Sequence, residues 1–520
     1  MNTRAASSAA KKGSNLNKFA FCPSNWYESA GWARKVNLFR FDPFFSDIIR
    51  REMRAHDGHA ADPALRRTAL AVSMVSSFLT PFMASGANVA MPLIGREFGL
   101  NAVNLGWVLT AYTLAAAMFL VPFGRLADLV GRKRIFTLGI AVNIAGTALC
   151  ALAPSAFFLI LGRGVQGVGG AMIFGTGVAI LTSVYPPGGR GHALGLNTAA
   201  VYTGLSLGPV LGGFLVHAFG WRSIFWATVP VAAFALVLAL VRLEGEWADA
   251  RGERFDLAGS TVFGAGLVSL MFGFSRLPSL TGLALTAAGV LALAGFVRFE
   301  LGSPSPLLDL RLFRHNRIFA FSNLAALFNY SATSAVAFLM SLYLQYIKGL
   351  PPQTAGLVLI AQPVVMAVAS PFAGRLSDRT EPRIIASTGM ALSAAGLVLF
   401  SFLGPGTGFG YIVASLVCLG LGFGLFSSPN TNAVMCSVEK RHLGIASAAL
   451  GTMRLTGQMM SAGTVMMIFA LVMGRIPIAP PVYPQFLRSV RIAFLFFAAL
   501  CAAGVFASLA RGVRVRSGGE

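Results

Sequence analysis

The sequence predicts an all-α polytopic membrane protein, two six-helix bundles with two helices inserted between them, and three observations carry the prediction. The composition is 55% hydrophobic and only 12% charged, with a mean hydropathy of +0.70, well beyond the balance of a soluble domain. Apolar runs of about 20 residues, the length a bilayer demands, recur fourteen times. A charged elbow between two of these runs, Gly124-Arg125-Leu126-Ala127-Asp128-Leu129-Val130-Gly131-Arg132-Lys133-Arg134, returns in weaker form 250 residues later as Gly374-Arg375-Leu376-Ser377-Asp378-Arg379.

Residues 1–67 carry twelve Lys/Arg against six Asp/Glu, and their aromatics, such as Trp26 and Phe39, follow neither a helical nor a strand period. No run there is long enough to span, and the first span comes too late for a secretory signal. The segment reads as a disordered cytoplasmic tail; an over-long start, with Met53 as the true beginning, is the alternative. The spans then run approximately 69–93, 104–123, 135–153, 156–183, 192–216, 223–241, 257–275, 280–297, 318–346, 353–373, 384–403, 408–430, 442–474 and 492–510. They divide into a first bundle (68–242), an inserted pair (243–300) and a second bundle (301–511), with a cytoplasmic tail at 512–520.

The net charge of +22 would suggest a nucleic-acid partner in a soluble protein, but topology accounts for it and no nucleic acid is expected. With the N-terminus inside, inner segments hold 32 of the 41 Lys/Arg, outer loops seven and spans two; without the long tail the inner count is still 20. This is the asymmetry of the positive-inside rule, and it puts both termini in the cytoplasm. The five cysteines lie far apart, without a CxxC pair or a histidine cluster, so neither a disulfide framework nor a metal site is expected.

Four arginine or lysine side chains and one carboxylate are too costly to hold in hydrocarbon, so the first elbow belongs in water beside the membrane. Gly124 and Gly131 permit tight backbone, and Asp128 can pair with a nearby arginine. This order resembles the signature between spans two and three of the major facilitator superfamily of secondary transporters. The resemblance implies a gate built on Arg125, Asp128 and Arg132, with Arg375 and Asp378 as the second copy. A constant offset of 253 relates Gly191, Ala193 and Gly204 to Gly444, Ala446 and Gly457, and Gly167 and Gly169 to Gly420 and Gly422. Repeated halves mark transporters that rock about a central site.

Three further stretches resemble superfamily motifs. In span four, Arg163 and Gln166 stand among glycines in Leu161-Gly162-Arg163-Gly164-Val165-Gln166-Gly167. An arginine inside a span normally faces a cavity or a partner; snorkelling into outer water is the alternative. The match to the fourth-span arginine motif implies proton or substrate handling. In span five, Gly204, Gly208 and Gly212, with Pro209 and Gly213, leave one helical face bare for another helix. The order resembles the antiporter motif, which implies export; a general small-residue packing face is the alternative. In span one, Asn88, Val89, Ala90 and Pro92 match the motif of the fourteen-span drug:proton antiporter branch. That branch has an aspartate where this chain has Met83.

The missing aspartate bears on coupling, since a buried carboxylate is the simplest proton carrier. All nineteen Asp/Glu are placed outside the spans, with Glu97 outside and the other eighteen in tails or inner loops. Asp128 or the histidines at 192, 217 and 442 remain as titrating groups, and proton antiport rests on the resemblance alone. Asn88, Gln166, Asn323, Asn329, Tyr330, Gln362, Asn430, Asn432, Arg454 and Gln458 are candidates for a mostly apolar cavity; bonding between helices is the alternative fate of each amide. No phosphate loop or zinc-ligand spacing occurs, so an enzyme, a cofactor or an ATPase is not expected.

The expectation is a multidrug-type exporter of small apolar or amphipathic compounds, monomeric, in a bacterial inner membrane, with protons as the coupling ion that the resemblance implies. A single-metabolite carrier independent of protons, holding an anion on Arg163, and a receptor or scaffold without flux are the alternatives.

Overall fold

The computed structural model describes residues 63–248, 255–302, 311–438 and 443–512. Most of both expected tails, Met53 and His442 fall outside the described residues. Within them no strand occurs, and fourteen helical segments are long and apolar enough to cross a bilayer. The first eight are α1 (Pro63–Glu97), α2 (Ala102–Val130), α3 (Arg132–Ala151), α4 (Ala156–Val184), α5 (Pro187–Phe219), α6 (Arg222–Arg242), α7 (Leu257–Arg276) and α8 (Leu280–Gly302). A short helix, Arg311–His315, precedes α9 (Arg317–Ile347), which breaks after Thr333, resumes at Val336 and closes on a π turn, Tyr343–Ile347. Then come α10, made of Pro352–Leu359 and Ala361–Arg379, and α11 (Pro382–Phe400), α12 (Phe409–Cys436), α13 (Leu443–Val472) and α14 (Pro480–Ala510).

The helices are longer than their apolar runs, because good helix formers such as Arg, Glu and Leu carry them past the hydrocarbon. Two details follow from that length. The first elbow is not a loop: α2 runs through Asp128 to Val130, α3 starts at Arg132, and Gly131 alone makes the corner at φ 131°, a conformation open to glycine. Glu300, just beyond the expected span end at 297, lies in the last turn of α8 with only 1% of its surface exposed.

The packing repeats itself with a shift of eight helices. In the first half α1 packs on α5 and α6, α2 on α4, and α3 on α4 and α6; in the second, α9 packs on α13 and α14, α10 on α12, and α11 on α12 and α14. Single atoms keep the register. A β-carbon on Gly169 would meet the Gly139 carbonyl at 2.7 Å, and one on Gly422 would meet that of Gly389 at 2.7 Å. Gly204 crowds the Phe78 carbonyl as Gly457 crowds that of Leu327. Each glycine is required because two helix backbones cross there without room for a side chain.

Besides the contact of α9 with α1 at one end, two seams join the halves, α2 against α13 and α5 against α10. The same shift of eight exchanges them. The inserted helices α7 and α8 pack on each other, and α7 also reaches α2 and α13. Around the outside, Phe234, Leu291 and Phe506 are among the exposed apolar side chains, as a lipid-facing surface requires.

Candidate functional site

The corner at Gly131 is clasped rather than merely solvated. Asp128 accepts from Arg132 Nε at 2.9 Å and pairs with its terminal nitrogen at 2.8 Å, while Arg132 donates to Ser183 Oγ of α4 at 2.7 Å. From beyond α6, Glu246 accepts the Lys133 N–H at 2.8 Å and faces Arg134 at 3.7 Å, and the Trp247 carbonyl accepts the Arg132 N–H at 2.8 Å. A side chain on Gly131 would collide with the Glu246 carboxylate. Nothing local marks Glu246 in the sequence. Arg125 is half-buried one turn before Asp128, and at the second corner Arg375 is exposed. There Ser377 receives the Asn432 amide of α12 at 3.3 Å; the side chain of Asp378 lies outside the described residues.

The opposite end, where α1 meets α2, is closed across the two halves. Ser341 Oγ of α9 donates to the Asn88 carbonyl of α1 at 2.7 Å, Gln345 Nε2 to that of Val89 at 3.0 Å, and Tyr346 to that of Pro92 at 3.3 Å. Ala102 N–H reaches the Ile476 carbonyl at 3.4 Å. Asn88 therefore belongs to this seal, held by its main chain, and Ser341 and Gln345 are functional candidates that the sequence did not single out.

The bare face of α5 meets two helices. Gly204, Gly208 and Gly212 lie against α1, where a β-carbon on Gly208 would meet the Phe82 carbonyl at 2.7 Å and one on Gly212 would meet Gly86 Cα at 2.8 Å. A β-carbon on Gly213 would meet the Pro352 carbonyl of α10 at 2.7 Å, and the Pro209 carbonyl leaves no room for one on Gly356. One helix thus slots into its own bundle and forms the seam with the other. Met83, at the position where the fourteen-span branch carries its aspartate, is buried against the Thr228 hydroxyl of α6 at 3.1 Å.

Arg163 is 1% exposed, which rules out snorkelling into outer water. It donates through Nε to the Val108 carbonyl of α2 at 3.1 Å, bonds Gln166 Oε1, and lies 4.8 Å from the ring centre of Tyr112. Gln166 in turn donates to Thr147 of α3 at 2.9 Å. Arg454 of α13 stands 5.4 Å from the ring centre of Tyr330. Of the amides expected to line a cavity, Asn323 and Asn430 are buried in bonds to main-chain carbonyls, and Asn88 and Asn329 are also buried. Gln362, Asn432 and Gln458, like Tyr330 and Arg454, keep partial exposure.

The profile of the Major Facilitator Superfamily matches residues 73–462. The chain belongs to this superfamily. A riboflavin transporter, RibZ, of Clostridioides difficile (strain 630) is 31% identical over 388 residues, covering 74% of this chain and 84% of that protein. The multidrug resistance protein Stp of Mycobacterium tuberculosis (strain CDC 1551 / Oshkosh) is 32% identical over 377 residues, 71% of this chain and 70% of Stp. A tetracenomycin C resistance and export protein of Streptomyces glaucescens is 30% identical, covering 74% and 71% of the two chains. In fold, a bacterial homologue of the human lysosomal transporter Spinster, solved inward-facing and unoccupied, superposes with a TM-score of 0.63 at 18% identity, covering 87% of this chain and 98% of that one. As a superfamily member with fourteen candidate spans, the chain is a multi-pass membrane transporter of small molecules.

Proposed function

We propose that this transporter exports small apolar or amphipathic compounds by alternating access, the two bundles rocking about the α2–α13 and α5–α10 seams. The observation that carries the reading is the seal of Ser341, Gln345 and Tyr346 on α1. It closes one end between the halves with a few hydrogen bonds, each worth about 1 kcal/mol net, so that it can open and re-form. The antiporter-like run from Gly204 to Gly213 supports the outward direction, as do relatives named for drug resistance and export. Asp128, Arg132 and Arg125, with Arg375 and Asp378, serve as the gate at the elbow end.

The elbows and both termini face the cytoplasm of a bacterial cell and the working unit is a monomer. The surplus of Lys/Arg at the elbow end and the bacterial relatives support the placement. Efflux assays in cells stripped of their own exporters test the reading. Resistance to, and lowered accumulation of, several unrelated apolar compounds is the expected result; unchanged accumulation across a broad panel, with the protein present in the membrane, would remove it.

A further inference from the structure

Arg163 and Arg454 stand among aromatic rings, and among the described residues neither has a carboxylate partner. Tyr112, Arg163, Tyr202, Tyr330 and Arg454 come from α2, α4, α5, α9 and α13, and Ser427 of α12 lies 3.5 Å from the Tyr202 hydroxyl. Those six helices contain a single carboxylate, Asp128. It stands sixteen residues beyond Tyr112 on α2, about 24 Å along a helix, and is engaged by Arg132. In α1 the position that could have supplied a countercharge is Met83.

An uncompensated cation away from water is held only at heavy cost. Arg163 meets that cost with neutral groups, the Val108 carbonyl, Gln166 and the Tyr112 ring, and still has one terminal nitrogen buried without a hydrogen-bond partner. Arg454 is half-exposed and, among the described residues, makes no hydrogen bond or ion pair, only its contact with the Tyr330 ring. Tyr330 is also in edge contact with Phe423, their centres 5.5 Å apart. The arrangement brings aromatic rings together with two guanidinium groups, one buried with a donor unspent and the other partly exposed.

We infer that the exported compounds are organic anions, an apolar body with one carboxylate or sulfonate held between Arg454 and Arg163. The inference rests on the exporter reading and names its substrate class. It also removes the need for the missing proton carrier. An anion leaving a cell that is negative inside moves down the electrical gradient, which favours its exit by about fiftyfold per 100 mV for each charge.

Two dyes with the same ring system and opposite charge provide the test: fluorescein, an anion, and rhodamine 6G, a cation. In proteoliposomes the protein should carry fluorescein away from the elbow side, faster when a potassium diffusion potential makes that side negative. Arg454→Gln should lower fluorescein flux about tenfold and Arg454→Lys by less than about threefold, as expected where a charge-assisted bond to the anion is lost or kept. In nanodiscs the unmodified protein should bind fluorescein, with 1-naphthoate displacing it and 1-naphthylmethylammonium failing to, a measurement that stands even if a variant does not fold. Transport of rhodamine 6G alone, or displacement by the ammonium compound alone, would overturn the anion site and leave the exporter reading in place. Movement of neither dye nor of any neutral compound would overturn both.

Discussion

Ser341 donates to the carbonyl of Asn88, the one carbonyl in this part of α1 that its own helix cannot satisfy. The regular partner would be the N–H four residues on, and that residue is Pro92, which has none. The proline of the first-span motif thus leaves an acceptor bare in one bundle for a hydroxyl of the other. Pro92→Ala should return the carbonyl to its helix and weaken the seal, as should Ser341→Ala. Each change should cost the sealed state about 1 kcal/mol, near a fivefold shift in population, and the two together should cost little more than one. Distances between spin labels across that end, measured in both single variants and the double, check this; additive effects would separate Pro92 from Ser341.

Two glycines with the same outward look in sequence should respond very differently. Gly208→Val must displace the Phe82 carbonyl or the Ser85 hydroxyl of α1, and over-packing of this kind costs about 1–3 kcal/mol. Gly164, beside Arg163, has nothing within 4 Å of where its β-carbon would stand, so Gly164→Ala should change stability by less than about 0.5 kcal/mol. Thermal unfolding in detergent reads both, and equal losses would refute the packing assigned to α5.

At the corner, Asp128→Asn removes a partly exposed ion pair while Glu246, Trp247 and Ser183 still hold the chain. Stability should fall by no more than about 1 kcal/mol. Transport, which requires the corner to engage and release, should fall at least about tenfold. Wild-type efflux by a well-folded Asp128→Asn protein would remove Asp128 from the gate.

Much of this architecture was legible because the bilayer imposes a length and a sign rule that composition must obey. Fourteen runs, charged corners and the offset near 250 are all local or periodic signals, and Gly169 and Gly422 occupy equivalent crossings in the structure. What the sequence withheld is carried by side chains far apart in the chain. Glu246 meets Lys133 across 113 residues and Ser341 meets Asn88 across 253, and no period or spacing marks such pairs. The amides were left open for a related reason. Asn323 turns back on its own helix at Phe319, Asn430 bonds Ser322 of α9, and Gln362 stays partly exposed, although the three are alike in polarity.

Sidedness can be read with cysteines placed at exposed positions of the two ends. Arg134→Cys and Leu280→Cys replace side chains that are 72% and 81% exposed. In intact cells a membrane-impermeant maleimide should label position 280 and spare position 134 until the membrane is broken. The reverse pattern would turn the topology over.

Alternating access itself is tested most directly by locking the sealed end. A β-carbon on Gly106 of α2 would stand 3.7 Å from Cβ of Met466 of α13, within the span of a disulfide. The pair Gly106→Cys and Met466→Cys, in a background whose five cysteines are replaced, should cross-link on oxidation. Efflux should then stop and return on reduction. Undiminished efflux by the fully cross-linked protein would contradict the account.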